Sequence, residues 1–377
     1  MKKIAVLGAG MIGRTIADDL SSGYQVTSMD ISEKNLHLLS RINAKVHAVQ
    51  CHIPEYIAQT ENMSDYDGFV VAVPGFMGFN VLKQLIPYGK PITDISFFNE
   101  DARHLHALAV QCGTPVIVDC GVAPGLSNIQ LGYVNQLMQV NSFACYVGGL
   151  PKERTQPFQY KAPFSPKDVI EEYTRPARLM ENGHIVTRPA LSEVEWLDVE
   201  GIGTLEAFNT DGLRSILHTM GHIPNMKEKT LRYPGHAELI TSFIRSGFFS
   251  DTPVTIQGAN ITPLDFTSAL LFHQWALKPH EPEFTYMTIR ATGTMNGKPA
   301  GATFELYDER DSKTGFSSMS RTTGYTCTAA VQLSMHQPLP PGIIFPEQLG
   351  GNTQYYTHIM EYLAARRVSF KMKMEEL

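Results

Sequence analysis

The sequence has 377 residues, with 31 Lys+Arg against 37 Asp+Glu and a formal net charge of −6. A hydrophobic fraction of 43% supplies a large core, and the length is enough for two domains. With only 18% charged residues and no Lys/Arg block, the composition excludes a disordered chain and a surface built to displace phosphate counterions from nucleic acid.

In chain order, Ile4 to Leu7 is a short apolar run, predicted to be a strand rather than a secretory leader because glycines break it at once. It ends at Gly8-Ala9-Gly10-Met11-Ile12-Gly13, and Thr15 to Leu20 then reads as a helix. This is G-x-G-x-x-G in the strand–turn–helix setting that a dinucleotide site requires. Gly8 permits the tight turn, Gly10 lets the backbone approach a pyrophosphate, and Gly13 lets the helix lie close to the strand. The helix N-terminus offers N–H groups to the phosphates. A second strand, Gln25 to Met29, ends in Asp30, whose carboxylate suits the ribose hydroxyls and repels a 2′-phosphate. NAD is therefore the expected cofactor, although Ser32 and Lys34 leave room for dual use with NADP.

Further strands are predicted at residues 46–49, 68–73, 91–95 and 116–119, with helices at Phe79 to Leu85 and Glu100 to Gln111 between them. Strands without polar alternation are buried on both faces, so these six form a parallel, doubly wound Rossmann-type α/β domain. Ligands in such sheets bind beyond the carboxyl ends of the strands, which directs attention to Val73-Pro74, Asp94-Ile95-Ser96-Phe97 and Asp119-Cys120-Gly121.

From about residue 142 the rhythm changes. Ser142 to Pro151 reads as a strand, and residues 284–296 and 298–308 as two strands around the hairpin turn Asn296-Gly297. Residues 318–335 and 357–366 read as helices. The second domain is thus α+β with an antiparallel sheet, one of whose faces is open. The predicted division is 1–125 for NAD binding and 126–377 for substrate binding and oligomerisation, with the helices at 318–366 able to return to the first domain. Five scattered cysteines without C-x-x-C point to neither disulfides nor structural zinc, and fit a reducing cytoplasm. No run approaches the roughly 18 apolar residues of a membrane helix. His218 and His222 stand four apart but lack a third ligand at metal spacing, so no metal is expected.

Three later segments combine polar side chains with Gly or Pro turns: D-x-G-x-x-P-G at Asp119 to Gly125, T-D-G-x-R-S at Thr210 to Ser215, and T-L-R-Y-P-G-H at Thr230 to His236. On these the chain resembles the saccharopine dehydrogenase superfamily, and within it the lysine 6-dehydrogenase branch. The resemblance implies a two-domain NAD-linked oxidoreductase of amino-acid metabolism, forming homodimers or larger homo-oligomers. Its expected reaction is oxidation of the ε-amine of L-lysine to 2-aminoadipate 6-semialdehyde. It also implies substrate contacts at Ser96, Phe97, Asp119 and residues 230–233. A saccharopine or carboxynorspermidine-type dehydrogenase and a non-catalytic NAD sensor are the alternatives.

Residue chemistry narrows the roles. A substrate α-carboxylate suits a planar guanidinium, for which Arg214, Arg232 and Arg321 are candidates. Amine oxidation needs a base, and Asp119, His236 and Tyr233 are available; Asp119 could equally cap the following helix. Asp211 could hold the α-ammonium or merely form a turn with Gly212. Cys120 beside Asp119 is expected to be a small buried side chain, since hydride transfer needs no covalent nucleophile.

Overall fold

A computed structural model describes residues 1–59, 61–162 and 166–377. The chain divides into two compact units, Met1–Leu137 with Met319–Ser369, and Met138–Ser318 with Phe370–Leu377.

The first unit begins with β1 (Lys3–Leu7), β2 (Gln25–Asp30), β3 (His47–Gln50), β4 (Gly68–Val71), β5 (Ile92–Asp94) and β6 (Pro115–Ile117). They lie in the order β6-β5-β4-β1-β2-β3, every pair parallel, so the order reverses direction between β1 and β4 as in a dinucleotide-binding sheet. Alternate residues of the central strands feed opposite faces. Ala5, Leu7, Phe69 and Val71 join one apolar core, and Ile4, Val6 and Val70 the other.

In the second unit come β7 (Gln139–Pro151), β8 (Ala177–Glu181), β9 (His184–Arg188), β10 (Glu195–Val199), β11 (Gly203–Asn209) and β12 (Asn225–Arg232). These are followed by the small hairpin β13 (Val254–Ile256) and β14 (Ala259–Ile261), then by β15 (Glu283–Met295) and β16 (Lys298–Glu309). Asn296 and Gly297, with φ of 53° and 77°, make the expected turn between the last two. The sheet runs β10-β11-β12-β7-β15-β16, with β8 and β9 appended to β12. It is mixed rather than purely antiparallel: β12 runs parallel to β7, because the chain makes a long crossover before returning to it.

The remaining strands complete both sheets. β17 (Gly342–Ile344) pairs in parallel with β6, making the first sheet seven-stranded instead of six, and β18 (Phe370–Glu376) extends the second sheet beside β16. The first unit runs past the expected boundary at 125/126. The helix Leu126–Leu137 belongs to the first unit, and so does the stretch from Met319 to Ser369. Glycine is what lets these pieces approach. A Cβ on Gly132 would lie 2.0 Å from the Glu347 carbonyl oxygen, and one on Gly350 1.9 Å from that of Ile129. The helix Ser318–His336 adds Cys327, Val331 and Met335 to one core, while Ile343 and Phe345 enter the other. Asp19, on the helix Met11–Leu20, ties this return in place: it accepts hydrogen bonds from Thr328 (2.6 Å), Tyr362 (2.7 Å) and Arg366 (2.7 Å).

No helix among the described residues is long and apolar enough to cross a membrane. All five cysteines are free.

Candidate functional site

The first unit presents the dinucleotide motif at the carboxyl end of β1. Gly8 has φ of 110°, and a Cβ there would sit 2.2 Å from the Ala72 carbonyl oxygen. A Cβ on Gly13 would sit 2.1 Å from the Gly8 oxygen. Both glycines are thus demanded by the protein's own packing. Gly10 is different: its φ is −61°, and a Cβ would meet nothing within 4 Å. No intramolecular reason requires glycine there, whereas a phosphate drawn close to the backbone would. Gly10 also caps the helix Met11–Leu20 without any side-chain hydrogen bond, so the N–H groups at that end are not claimed by a cap. Asp30 holds the loop in shape, accepting from the Ala9 N–H (2.7 Å) with Oδ2 and from the Ser32 N–H (2.7 Å) with Oδ1. Ser32 itself is the N-cap of the helix Glu33–Ile42, and Arg14 donates to the Ala9 carbonyl (2.9 Å). Gly8 to Gly13 and Asp30 therefore fit the phosphate-binding turn of a dinucleotide site.

The loops after β4, β5 and β6 add the next layer. Pro74 caps the helix Gly75–Leu85 behind buried Val73, and a Cβ on Gly78 would lie 2.0 Å from the Ser96 hydroxyl oxygen. A Cβ on Gly75 would lie 2.4 Å from the Phe97 carbonyl oxygen, so two of the sequence-predicted clusters meet backbone to backbone. The Ser96 hydroxyl and N–H both donate to buried Asp94. Asp119 is buried with φ of 53°, a left-handed conformation that an aspartate tolerates better than most residues. Cys120 lies beside it, donating its thiol toward the Thr326 carbonyl, and burial followed by the charges of Asp94 and Asp119 pushes its ionisation far up. That makes it a neutral space-filler. Arg321 also belongs to this unit, on the helix Ser318–His336, where it donates to the Arg366 carbonyl (3.1 Å) and lies over Tyr325.

The second unit gathers a buried polar cluster on one face of its sheet. Glu206 on β11 accepts from the N–H groups of Gly235 (2.9 Å) and Ala237 (2.6 Å), anchoring the start of the helix His236–Arg245. His236 is thereby brought against Tyr173 and Tyr160. A chain of donors follows. Arg232 Nε donates to the Tyr173 hydroxyl (3.0 Å), that hydroxyl to His236 Nε2 (2.9 Å), and His236 Nδ1 to the Phe158 carbonyl (3.2 Å). Burial, then the Arg232 charge, lower His236 to about 3, so it is a neutral imidazole with both nitrogens engaged.

Arg232 is almost completely buried, with its guanidinium over the Tyr160 ring at 4.3 Å. Nη1 donates to the Leu231 carbonyl (2.9 Å), while Nη2 makes two long contacts, to Tyr160 (3.4 Å) and to Glu172 Oε2 (3.4 Å). Glu172 is pushed up to about 7, first by burial and against the pull of Arg232. On the neighbouring turn of β12, buried Glu228 accepts from Thr210 (2.7 Å), which also bonds Thr230 (2.8 Å); burial raises Glu228 to about 8.

Other predicted residues sit elsewhere. Tyr233 belongs to the apolar cluster on the opposite face, donating to the Pro151 carbonyl (2.8 Å) beneath Arg154 (4.5 Å), so the structure does not bring it to His236 and Arg232. Asp211, considered for a substrate ammonium, closes a two-point ion pair with Arg178 (2.9 and 2.8 Å). Arg214 is buried with φ of 49°. Tyr160, Glu172, Tyr173, Arg178 and Glu228 were not singled out from sequence, where they lie in charge-rich stretches without a motif. Among the described residues no group of three or more His, Cys, Asp or Glu could hold a metal ion.

Comparison with known proteins adds the following. The family described as the saccharopine dehydrogenase C-terminal domain matches residues 121–368, and that described as ketopantoate reductase PanE/ApbA matches residues 4–144. Saccharopine dehydrogenase (NADP(+), L-glutamate-forming) of Schizosaccharomyces pombe is 24% identical over 270 residues, 67% of this chain and 59% of that protein. The mitochondrial alpha-aminoadipic semialdehyde synthase of Mus musculus is 23% identical over 266 residues, 66% of this chain and 28% of that protein. The chain thus spans less than two thirds of the length of either relative. The solved apo saccharopine dehydrogenase (L-Glu forming) of Saccharomyces cerevisiae covers 100% of both chains with a TM-score of 0.80 at 19% identity, a likeness of fold.

Proposed function

The chain belongs to the saccharopine dehydrogenase family, and from that premise we propose that it is an NAD-linked oxidoreductase acting on the ε-amine of L-lysine. The reaction takes lysine, NAD and water to 2-aminoadipate 6-semialdehyde, ammonia and NADH, and the semialdehyde cyclises. The observation that carries this reading is the pairing of two features. One is a dinucleotide turn closed by Asp30, and the other is a buried, weakly neutralised guanidinium at Arg232.

In this reading Gly8 to Gly13 receive the pyrophosphate, with Asp30 on the ribose and Val73 and Pro74 beside the nicotinamide, and the cofactor supplies the hydride acceptor. Arg232 takes the α-carboxylate. Asp119 accepts the proton that the reacting amine must lose and then steers water onto the substrate iminium. His236, uncharged, fixes Tyr173 and through it the Arg232 fork.

A second reading has a specific observation behind it. Curated relatives are named saccharopine dehydrogenases using NADP(+). Two features favour lysine over the larger secondary amine. Asp30 stands where a 2′-phosphate would be repelled. Arg175 and Arg178 already meet the carboxylates of Glu171 and Asp211, leaving little charge beyond Arg232 for a ligand with three carboxylates.

The test is absorbance of reduced cofactor with the purified protein, NAD or NADP, and L-lysine, saccharopine and a panel of other amines. Turnover of lysine with NAD is expected. Turnover of saccharopine but not lysine moves the assignment to the second reading, and NAD binding without turnover of any amine overturns both in favour of a sensor.

A further inference from the structure

Arg232 is an unusual cation. Its Nε and Nη1 make good hydrogen bonds, but among the described residues Nη2 has only the two contacts at 3.4 Å, well beyond the roughly 2.7–2.9 Å of a charge-assisted bond. Among the described residues Glu172 is the one carboxylate that reaches it. The partners also differ in exposure. Tyr160, Tyr173 and Leu231 are buried, whereas the Glu172 side chain is 24% exposed, so among the described residues touching the guanidinium it alone reaches solvent.

We propose that Glu172 is an internal counter-anion that occupies the Nη2 edge of Arg232 and is displaced by the incoming carboxylate of the substrate, so that it sets how tightly an amino acid is held. This rests on the reading that Arg232 is the carboxylate anchor. The physical logic is competition: a ligand that binds only the uncovered arginine is weakened by the fraction of molecules in which Glu172 is ionised and paired.

The groups facing Glu172 fix the sign of the pH response. Asp168 and Glu171 lie on its own helix, Pro166–Thr174, and Arg175 just past its end; Arg232 and Glu228 lie on β12, and Tyr160 and Tyr173 against the guanidinium. Burial and Asp168 raise Glu172, and Arg232 and Arg175 lower it, with the balance near 7. Acidification therefore protonates Glu172 and uncovers Arg232, while His236, held near 3, stays neutral throughout.

The experiment titrates L-norleucine, which has the carboxylate and ammonium of lysine but no ε-amine, into the full chain at pH 6 and pH 8. Buried Trp275 reports binding, since its ring lies 5.5 Å from Tyr160 and 6.1 Å from Tyr173; exposed Trp196 is removed by Trp196→Phe. Norleucine should bind about tenfold tighter at pH 6 than at pH 8, the ratio for a competing group titrating near 7. Glu172→Gln should bind about tenfold tighter than wild type at pH 8 and lose the pH dependence. If Arg232→Lys abolishes binding while Glu172→Gln matches wild type at both pH values, the counter-anion role is overturned and the anchor stands. Binding that survives Arg232→Lys, or no binding by any form, overturns the anchor and the proposal together. Should Glu172→Gln fail to fold, a wild-type affinity that is flat from pH 6 to pH 8 overturns the proposal by itself.

Discussion

Glu228 shows how one buried carboxyl can govern the stability of a whole unit. It is a protonated acid at neutral pH, held up to about 8 by burial, and its oxygen presses against Gly212, where a Cβ would fall 2.4 Å from Cδ. An unfolded chain releases that proton near 4.5. Between those values the folded state binds more protons, so the contribution is complete below about 4.5 and is lost as pH rises through 8. Glu228→Gln keeps the shape without the titration. Its stability should lie close to wild type near pH 5 and exceed it near pH 8 by about 3–4 kcal/mol, seen as a higher melting temperature. A difference that does not change with pH in thermal melts would contradict this assignment. Nothing in the sequence marked the position. The stretch Asn-Met-Lys-Glu-Lys-Thr-Leu-Arg of β12 reads as a solvated strand, because charges fall on both of its faces. Only tertiary pairing, Lys229 to Glu195 on one face and Arg232 to Glu172 on the other, lets both faces be buried.

At the scale of the element, the turn from β1 into the helix Met11–Leu20 separates two kinds of glycine that the motif treats alike. Gly13→Ala drives a methyl into the Gly8 carbonyl and should cost about 1–3 kcal/mol of stability. Gly10→Ala meets open space, so it should leave the melting temperature within about 1 °C while weakening NAD binding at least tenfold. Calorimetric titration of NAD against both variants checks this; unimpaired NAD binding by Gly10→Ala would remove the phosphate from that position. This turn was legible because its chemistry is local: backbone sterics and an acid at the end of the next strand. Arg232, His236 and Tyr233 are adjacent in one segment yet part company. Two of them join the aromatic cluster and the third crosses to the other face, a consequence of β-strand alternation that a motif does not encode.

For the molecule as a whole, the sequence announced six alternating strands, a change of rhythm and C-terminal helices able to return to the first domain, but not the strand that returns with them. β17 is three residues long, too short to carry a periodicity, and it pairs beside β6 after the helix Ser318–His336, whose Cys327, Val331 and Met335 join the core under the same sheet. A fragment of residues 1–137 therefore lacks Cys327, Val331, Met335, Ile343 and Phe345 from its cores. It should show no cooperative thermal transition and no NAD binding, whereas co-expression with residues 319–369 should restore both. A sharp transition in the fragment alone would show that the C-terminal return is dispensable. The same arrangement has a consequence in time. On a ribosome adding about 5–20 residues per second, the open edge of β6 waits roughly 10–45 s for its neighbour, with apolar surface uncovered while the second unit up to Ser318 is made. Synthesis order, and the chaperones that cover an unfinished sheet, thus become part of what this architecture demands of the cell that makes it.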